Sequence, residues 1–137
     1  MDWRRFGYFH SWLYRKTGGR IGTAVGGGRE ICLLSTLGRK SGVWRTTPLM
    51  CMAHGEDLIV VASNGGKEHH PAWWLNLLAH SEARVQLGRR HWNVEARQAS
   101  EEQAVEIWPL ATAYNGHWRG YRERTARAIP LVILRPV

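Results

Sequence analysis

Three strand-like runs follow one another through short turns with no helix between them, and this local order constrains the fold more than any other feature. Glu30 to Thr36 reads as a buried strand, a turn over Gly38 to Gly42 follows, and Trp44 to Ala53 makes the next strand. Pro48 falls inside that second strand. Proline cannot donate to a ladder, so it marks an edge or a bulge. His54-Gly55-Glu56 turns the chain back through Leu58 to Ser63, and Asn64-Gly65-Gly66 ends this β-branched run. Later, Arg84 to Leu87 and Trp92 to Arg97 alternate about Gly88-Arg89-Arg90 as a hairpin, and Pro130 to Leu134 supplies a last strand. About six antiparallel strands in this arrangement suit an α+β barrel. A doubly wound sheet would alternate strand with helix.

The helical segments lie around these strands. From Trp3 to about Lys16, apolar residues recur at Trp3, Phe6, Phe9 and Leu13 with a basic remainder, which predicts a short amphipathic helix. Thr17-Gly18-Gly19 and Gly26-Gly27-Gly28 then break the pattern, leaving an irregular connector from which Arg20 and Arg29 could reach an anion. Pro71 sits where a first helical position is expected, and Ala72 to Ala79 forms a short helix. Periodicity there assigns Trp74, Leu77 and Leu78 to the core and leaves Trp73 for a site. Ser100-Glu101-Glu102-Gln103 matches a capping box. It opens a helix to about Ala113 with Ala104, Ile107, Trp108 and Ala111 on one face. Residues Tyr114 to Arg127 are aromatic and basic, a loop with a broken helix.

At 137 residues the chain is one domain, long enough for a single core without a covalent staple. Cys32 and Cys51 form neither a C-x-x-C pair nor a metal-ligand spacing, and strand-like apolar surroundings suit them as small hydrophobes in a reducing cytoplasm. No run of about 18 apolar residues and no signal-peptide pattern is present. The formal charge is +8, and only Lys16, Lys40 and Lys67 among nineteen basic residues are not arginine. Arginine suits planar, bidentate recognition of carboxylates and phosphates, so an acidic partner is expected. Nucleic acid fits the charge but not the pattern: the basic residues are spread along the chain and no recognised module appears. The scattered histidines, with His69-His70 adjacent, do not make a metal site. There is no Ser-His-Asp set, nucleophile elbow or Walker loop, which leaves any chemistry to a bound cofactor.

Two segments carry the functional signal. Gly38-Arg39-Lys40-Ser41-Gly42-Val43-Trp44-Arg45-Thr46-Thr47-Pro48 puts three permanent positive charges, Arg39, Lys40 and Arg45, on a glycine-flanked turn and the strand leaving it. Guanidinium forks and backbone N–H groups in such a turn grip a phosphate or carboxylate. Ala62-Ser63-Asn64-Gly65-Gly66 ends a strand in small residues where a flat ligand can approach the backbone. It runs into His70-Pro71-Ala72-Trp73-Trp74-Leu75-Asn76-Leu77. Together they read as an anion cradle facing an aromatic shelf.

These segments, with Arg124-Thr125-Ala126-Arg127-Ala128-Ile129-Pro130, resemble the deazaflavin-dependent nitroreductase family, which uses the cofactor F420, over roughly Leu13 to Pro136. The resemblance implies a split β-barrel of the flavin-reductase type with F420 in a groove. Arg39, Lys40 and Arg45 would grip the phosphate and acidic tail of the cofactor. Thr46, Thr47 and Pro48, facing Val61, Ala62 and Ser63, would offer donors to the ring edge, with Asn64 and Trp73 beside it. Trp118, Tyr121 and Tyr114 would line the substrate cavity, Tyr121 as proton donor or hydrogen-bond partner and Ser63 with it among the catalytic residues. The implied activity is hydride transfer from reduced F420 to a conjugated electrophile such as a quinone, enone or nitroaromatic. This chain departs from the pattern at Asn64, where the family commonly has lysine, and at Asn115, where a further tyrosine is expected.

A second reading stays open, a non-catalytic split barrel holding flavin, haem or lipid. Residues 1–16 could lie on an anionic membrane, which would suit a lipid quinone, or could plug one barrel end. A homodimer is also expected from the resemblance.

Overall fold

A computed structural model describes residues 24–25, 29–64, 67, 69–116, 118 and 129–137. The expected N-terminal helix over Trp3 to Lys16 and Tyr121 lie outside the described residues. The strands are β1 (Ala24–Val25), β2 (Arg29–Leu37), β3 (Trp44–His54), β4 (Asp57–Val61), β5 (Glu82–Leu87), β6 (Arg90–Gln98) and β7 (Leu131–Pro136). Among the described residues two helices join them, α1 (Ala72–Ala79) between β4 and β5 and α2 (Glu101–Tyr114) between β6 and β7. The sheet runs β1-β2-β3-β4-β7-β6-β5, every pairing is antiparallel, and β2 also pairs with β5. That last pairing closes β2 to β7 into a six-stranded barrel, so β2 is hydrogen-bonded on both sides.

Side-chain alternation sorts the barrel into two apolar clusters. Cys32 and Leu34 from β2, Leu58 and Val60 from β4, Val85 from β5, Val94 from β6 and Val132 and Leu134 from β7 point inward. Trp73, Trp74 and Leu77 of α1 join this interior cluster and cover the barrel on that side. Ile59, Val61, Leu131 and Ile133 point outward and pack under Ile107 and Ala111 of α2, with Ala104 and Trp108 at the margin. β4 and β7 are thus buried on both faces, which is why they read as unbroken apolar runs rather than as alternating strands.

α1 departs from its expected pattern. Pro71 is the N-cap residue, with ψ 151°, and the helix starts at Ala72. Leu78, expected in the core, is 62% exposed, while Trp73 is 7% exposed and packs in the interior beside Trp74. An eight-residue helix seated across a barrel buries one narrow face, and Trp73, Trp74 and Leu77 fill it.

The capping box at the start of α2 is formed as expected. The Ser100 hydroxyl accepts from the Gln103 N–H at 3.2 Å, and the Gln103 side chain accepts from the Ser100 N–H at 2.9 Å. Ser100→Ala should cost about 1 kcal/mol and lower Tm by a few degrees in a thermal melt. At the far end of α2 the Tyr114 hydroxyl accepts from the Glu30 N–H at 2.7 Å, tying the helix terminus to the beginning of β2.

Cys32 and Cys51 are both buried free thiols on inward-facing strand positions, as their apolar surroundings suggest. The Cys32 thiol is pushed well above its ordinary value, first by its hydrogen bond with Cys51 and then by burial. The unfolded chain ionises this thiol near its ordinary value of 9.0, whereas the folded chain keeps it protonated. Stability is therefore lost as pH rises above about 9. Thermal melts should show a lower Tm at pH 10 than at pH 8, with a smaller further loss in Cys32→Ala.

Candidate functional site

The β2–β3 turn is a compact cradle. The Gly38 N–H donates to the Val43 carbonyl and the Gly42 N–H to the Gly38 carbonyl, each at 2.9 Å, and the Val43 N–H donates to the Ser41 hydroxyl at 3.2 Å. Gly42 holds φ +69°, which a side chain would strain, and a Cβ at Gly38 would stand 2.6 Å from the Ser41 hydroxyl oxygen. Arg39 and Lys40 are exposed on this turn and Arg45 is half-buried on the strand that leaves it. Among the described residues none of these three cations is in an ion pair, so their charge is not already matched by a carboxylate. Beside the turn, the Arg84 guanidinium lies 4.0 Å over the Trp44 ring.

Among the described residues, β3 and β4 part next to this turn and leave an opening. Among the described residues β3 pairs with β4 only at Met52↔Ile59, Ala53↔Leu58 and His54↔Asp57, although β3 continues back to Trp44 and β4 on to Val61. The direction of the backbone in that stretch follows from the Gly38–Val43 bond. Odd-numbered residues of β3 turn their N–H and C=O groups toward β2, and Thr46, Pro48 and Met50 turn theirs toward the β4 side. The register of β3 with β2 is unbroken from Trp44 to Cys51. Pro48 therefore marks an edge and not a bulge, and its missing N–H falls on the open side, where it costs the β2 ladder nothing.

The ring-edge residues divide by face. Thr46 projects outward and shares a 2.8 Å hydrogen bond with Ser35, while Thr47 projects inward opposite Leu34. Their hydroxyls do not converge as a pair of donors; the backbone of Thr46 is what faces the opening. Across it, Val61 ends β4. Ala62 is fully buried and its N–H donates to the Pro130 carbonyl at 3.0 Å, so that donor is already used within the barrel. Ser63 follows, 7% exposed. Asn64 has φ 49°, a left-handed conformation that asparagine tolerates better than most side chains, and its Nδ2 donates to the His69 carbonyl at 3.0 Å. The amide thereby ties Asn64 to His69, a bond that a lysine there would not make in the same way.

Continuing the β3–β4 register sets Met50 opposite Val61, and both belong to the outer cluster that also holds Trp118 and Tyr114. Trp118 is 4% exposed, and its ring lies 6.0 Å from that of Tyr114. Two of the three expected substrate residues thus belong to the outer cluster that also holds Met50 and Val61, while Arg39, Lys40 and Arg45 lie on or beside the β2–β3 turn. Trp73 belongs to the interior cluster instead, so only its small exposed surface can meet a ligand.

Asn76 was not among the residues singled out from the sequence. It is 5% exposed on α1, its carbonyl oxygen accepts from both the N–H and the guanidinium of Arg39, and its Nδ2 donates to the Thr36 hydroxyl. A polar residue among the apolar positions of a short helix was the available signal.

No group of three or more potential metal ligands occurs among the described residues. No helix among them is long and apolar enough to cross a membrane.

Known proteins share this architecture. The profile of the family described as F420H(2)-dependent quinone reductase matches residues 7–136. The chain is 34% identical over 128 residues to an F420H(2)-dependent quinone reductase of Mycobacterium tuberculosis (strain ATCC 25618 / H37Rv), covering 91% of this chain and 86% of that protein. A solved F420-H2 dependent reductase superimposes with a TM-score of 0.71 at 34% identity, over 77% of this chain and 93% of that one. A structure described as a domain-swapped dimer gives a TM-score of 0.74 at 30% identity, over 98% of each chain. With the closed six-stranded barrel, its opening and the cationic turn, these matches show that the chain belongs to the F420H(2)-dependent quinone reductase family.

Proposed function

We propose that this protein uses reduced F420 to reduce a quinone or a similar conjugated electrophile. The observation that carries the reading is the cationic turn standing at the end of the opening between β3 and β4. The residues fit such a cofactor in chemistry and shape. Arg39 and Lys40, both exposed, with Arg45 behind them, suit the phosphodiester and oligoglutamate tail, and the backbone of Thr46 and Val61 suits a flat, polar ring edge. When bound, the cofactor supplies the hydride; the chain binds, orients and shields.

The shielding falls to apolar residues. Met50, Val61 and Trp118, with Tyr114 beside them, offer a dry wall on the outer side where a planar acceptor can stack. Ser63, at the end of the β4 segment, and Tyr121 are the hydroxyls proposed to hold the acceptor oxygen or pass a proton to it. Enones and nitroaromatics have the same planar, electron-poor character as quinones and are proposed as further acceptors. Contact of residues 1–16 with an anionic membrane, as a route to a lipid quinone, and a homodimer are proposed alongside.

Fluorescence titration with F420, and in parallel with FMN and haem, tests the cofactor. Quinone-dependent oxidation of F420H2, followed by absorbance, tests the activity. Tight F420 binding with quinone turnover is expected; binding of FMN or haem in its place would favour the non-catalytic barrel. Sedimentation with phosphatidylglycerol vesicles, with and without residues 1–16, tests the membrane contact.

A further inference from the structure

We propose that Asn76 is a positioning residue that holds Arg39 ready for an anionic ligand; the inference rests on the F420 reading and deepens it. Its carbonyl oxygen lies 3.1 Å from the Arg39 backbone nitrogen and 2.9 Å from Arg39 Nη1, and its Nδ2 lies 3.1 Å from Thr36 Oγ1. Chemistry fixes the orientation of the amide. Both Arg39 groups can only donate, so the atom facing them must be the oxygen, which leaves Nδ2 to the hydroxyl.

One buried side chain thus joins three elements: α1, the cationic turn, and β2. Thr36 is directly opposite Arg45 in the β2–β3 register and projects on the same face, so the amide that restrains Arg39 is also anchored in the row that carries Arg45.

The physical consequence is pre-organisation. An exposed arginine loses side-chain freedom when a ligand immobilises it, and a guanidinium already held by Asn76 has less to lose. The choice of amide also matters. A neutral carbonyl orients the guanidinium and leaves its full charge for the ligand, whereas a carboxylate at the same position would orient it and cancel the charge.

The test compares F420 with its phosphate-free ring–ribityl fragment on folded wild type, Asn76→Ala, Asn76→Asp, Arg39→Ala and the Arg39→Ala/Asn76→Ala double variant. Amide hydrogen exchange of Arg39 is read by NMR. Asn76→Ala should weaken F420 binding about ten-fold, leave the fragment unchanged, and speed exchange of the Arg39 amide. It should add nothing in the Arg39→Ala background. Asn76→Asp should keep the Arg39 amide protected and still weaken F420, which a purely structural role does not predict. Equal losses for F420 and the fragment, or unchanged Arg39 exchange in Asn76→Ala, would overturn the proposal. If the wild type binds neither ligand, the cofactor reading fails on its own. The Arg39 exchange comparison then decides whether Asn76 orders the turn.

Discussion

Replacing Arg39 and Lys40 together with alanine should raise the dissociation constant for F420 roughly 100-fold at low salt. Both side chains are exposed, so each contact is set at the low end for hydrogen bonds to charged groups, about one order of magnitude apiece. The dependence on ionic strength should flatten as well, because the double variant has lost two of the charges that attract the tail. Titration at two salt concentrations reads both effects. The phosphate-free fragment should bind the variant as it binds wild type, which separates loss of the cradle from loss of the fold. Unchanged F420 affinity would mean that the turn does not hold the anionic part of the ligand, and the assignment of Arg39 and Lys40 would have to be abandoned.

Leu77→Ala and Leu78→Ala, neighbours on one helix, should differ by several kcal/mol in their effect on stability. Leu77 is 3% exposed within the barrel-interior cluster, and truncating it removes apolar burial and leaves a cavity, at a cost of about 2–5 kcal/mol. For a chain of this length that is a Tm reduction on the order of 10 °C. Leu78 is 62% exposed, and its truncation should stay within about 0.5 kcal/mol. Urea denaturation of both variants measures the contrast. Equal losses would show that α1 is rotated from the orientation described, and the assignment of Trp73 to the interior would fall with it.

The strands were readable because their evidence is local. Alternation and a turn mark the β5–β6 hairpin, and Ser100 with Gln103 marks the start of α2, each within a few neighbouring residues. α1 was harder to orient. Eight residues give too few turns for periodicity to separate Trp73 from Trp74 or Leu77 from Leu78, and the barrel interior decided which of them face inward. The two threonines show the same limit. Thr46-Thr47 reads as a pair of neighbouring hydroxyls, yet a strand sends successive side chains to opposite faces, so only the Thr46 hydroxyl meets Ser35.

The candidate site divides in the same way. The three cations and the glycines around them are contiguous, and their meaning as an anion cradle follows from residue type and spacing alone. The opening beside them is not contiguous. It exists because β3 and β4 part after Met52 and Ile59 while β2 reaches across to β5, contacts that join residues about fifty positions apart. Asn76 likewise acquires its role only when α1 is seated against a turn 37 residues earlier in the chain.

The order of strands and helices from β2 to β7, the α+β class, the positive charge on one turn and the family resemblance are all legible in the residues themselves; β1, two residues within the glycine connector, is not. Each of these is a property of neighbouring residues: backbone propensity, side-chain period and local charge. Long-range contacts settle that β2 closes the barrel against β5, that Trp73 and Trp74 join the interior while Trp118 packs outside, that Thr46 and Thr47 face opposite ways, and that one buried amide holds Arg39. Those depend on long-range pairing and register, where a shift of a single residue would reverse every side chain, and no short stretch of sequence carries that information.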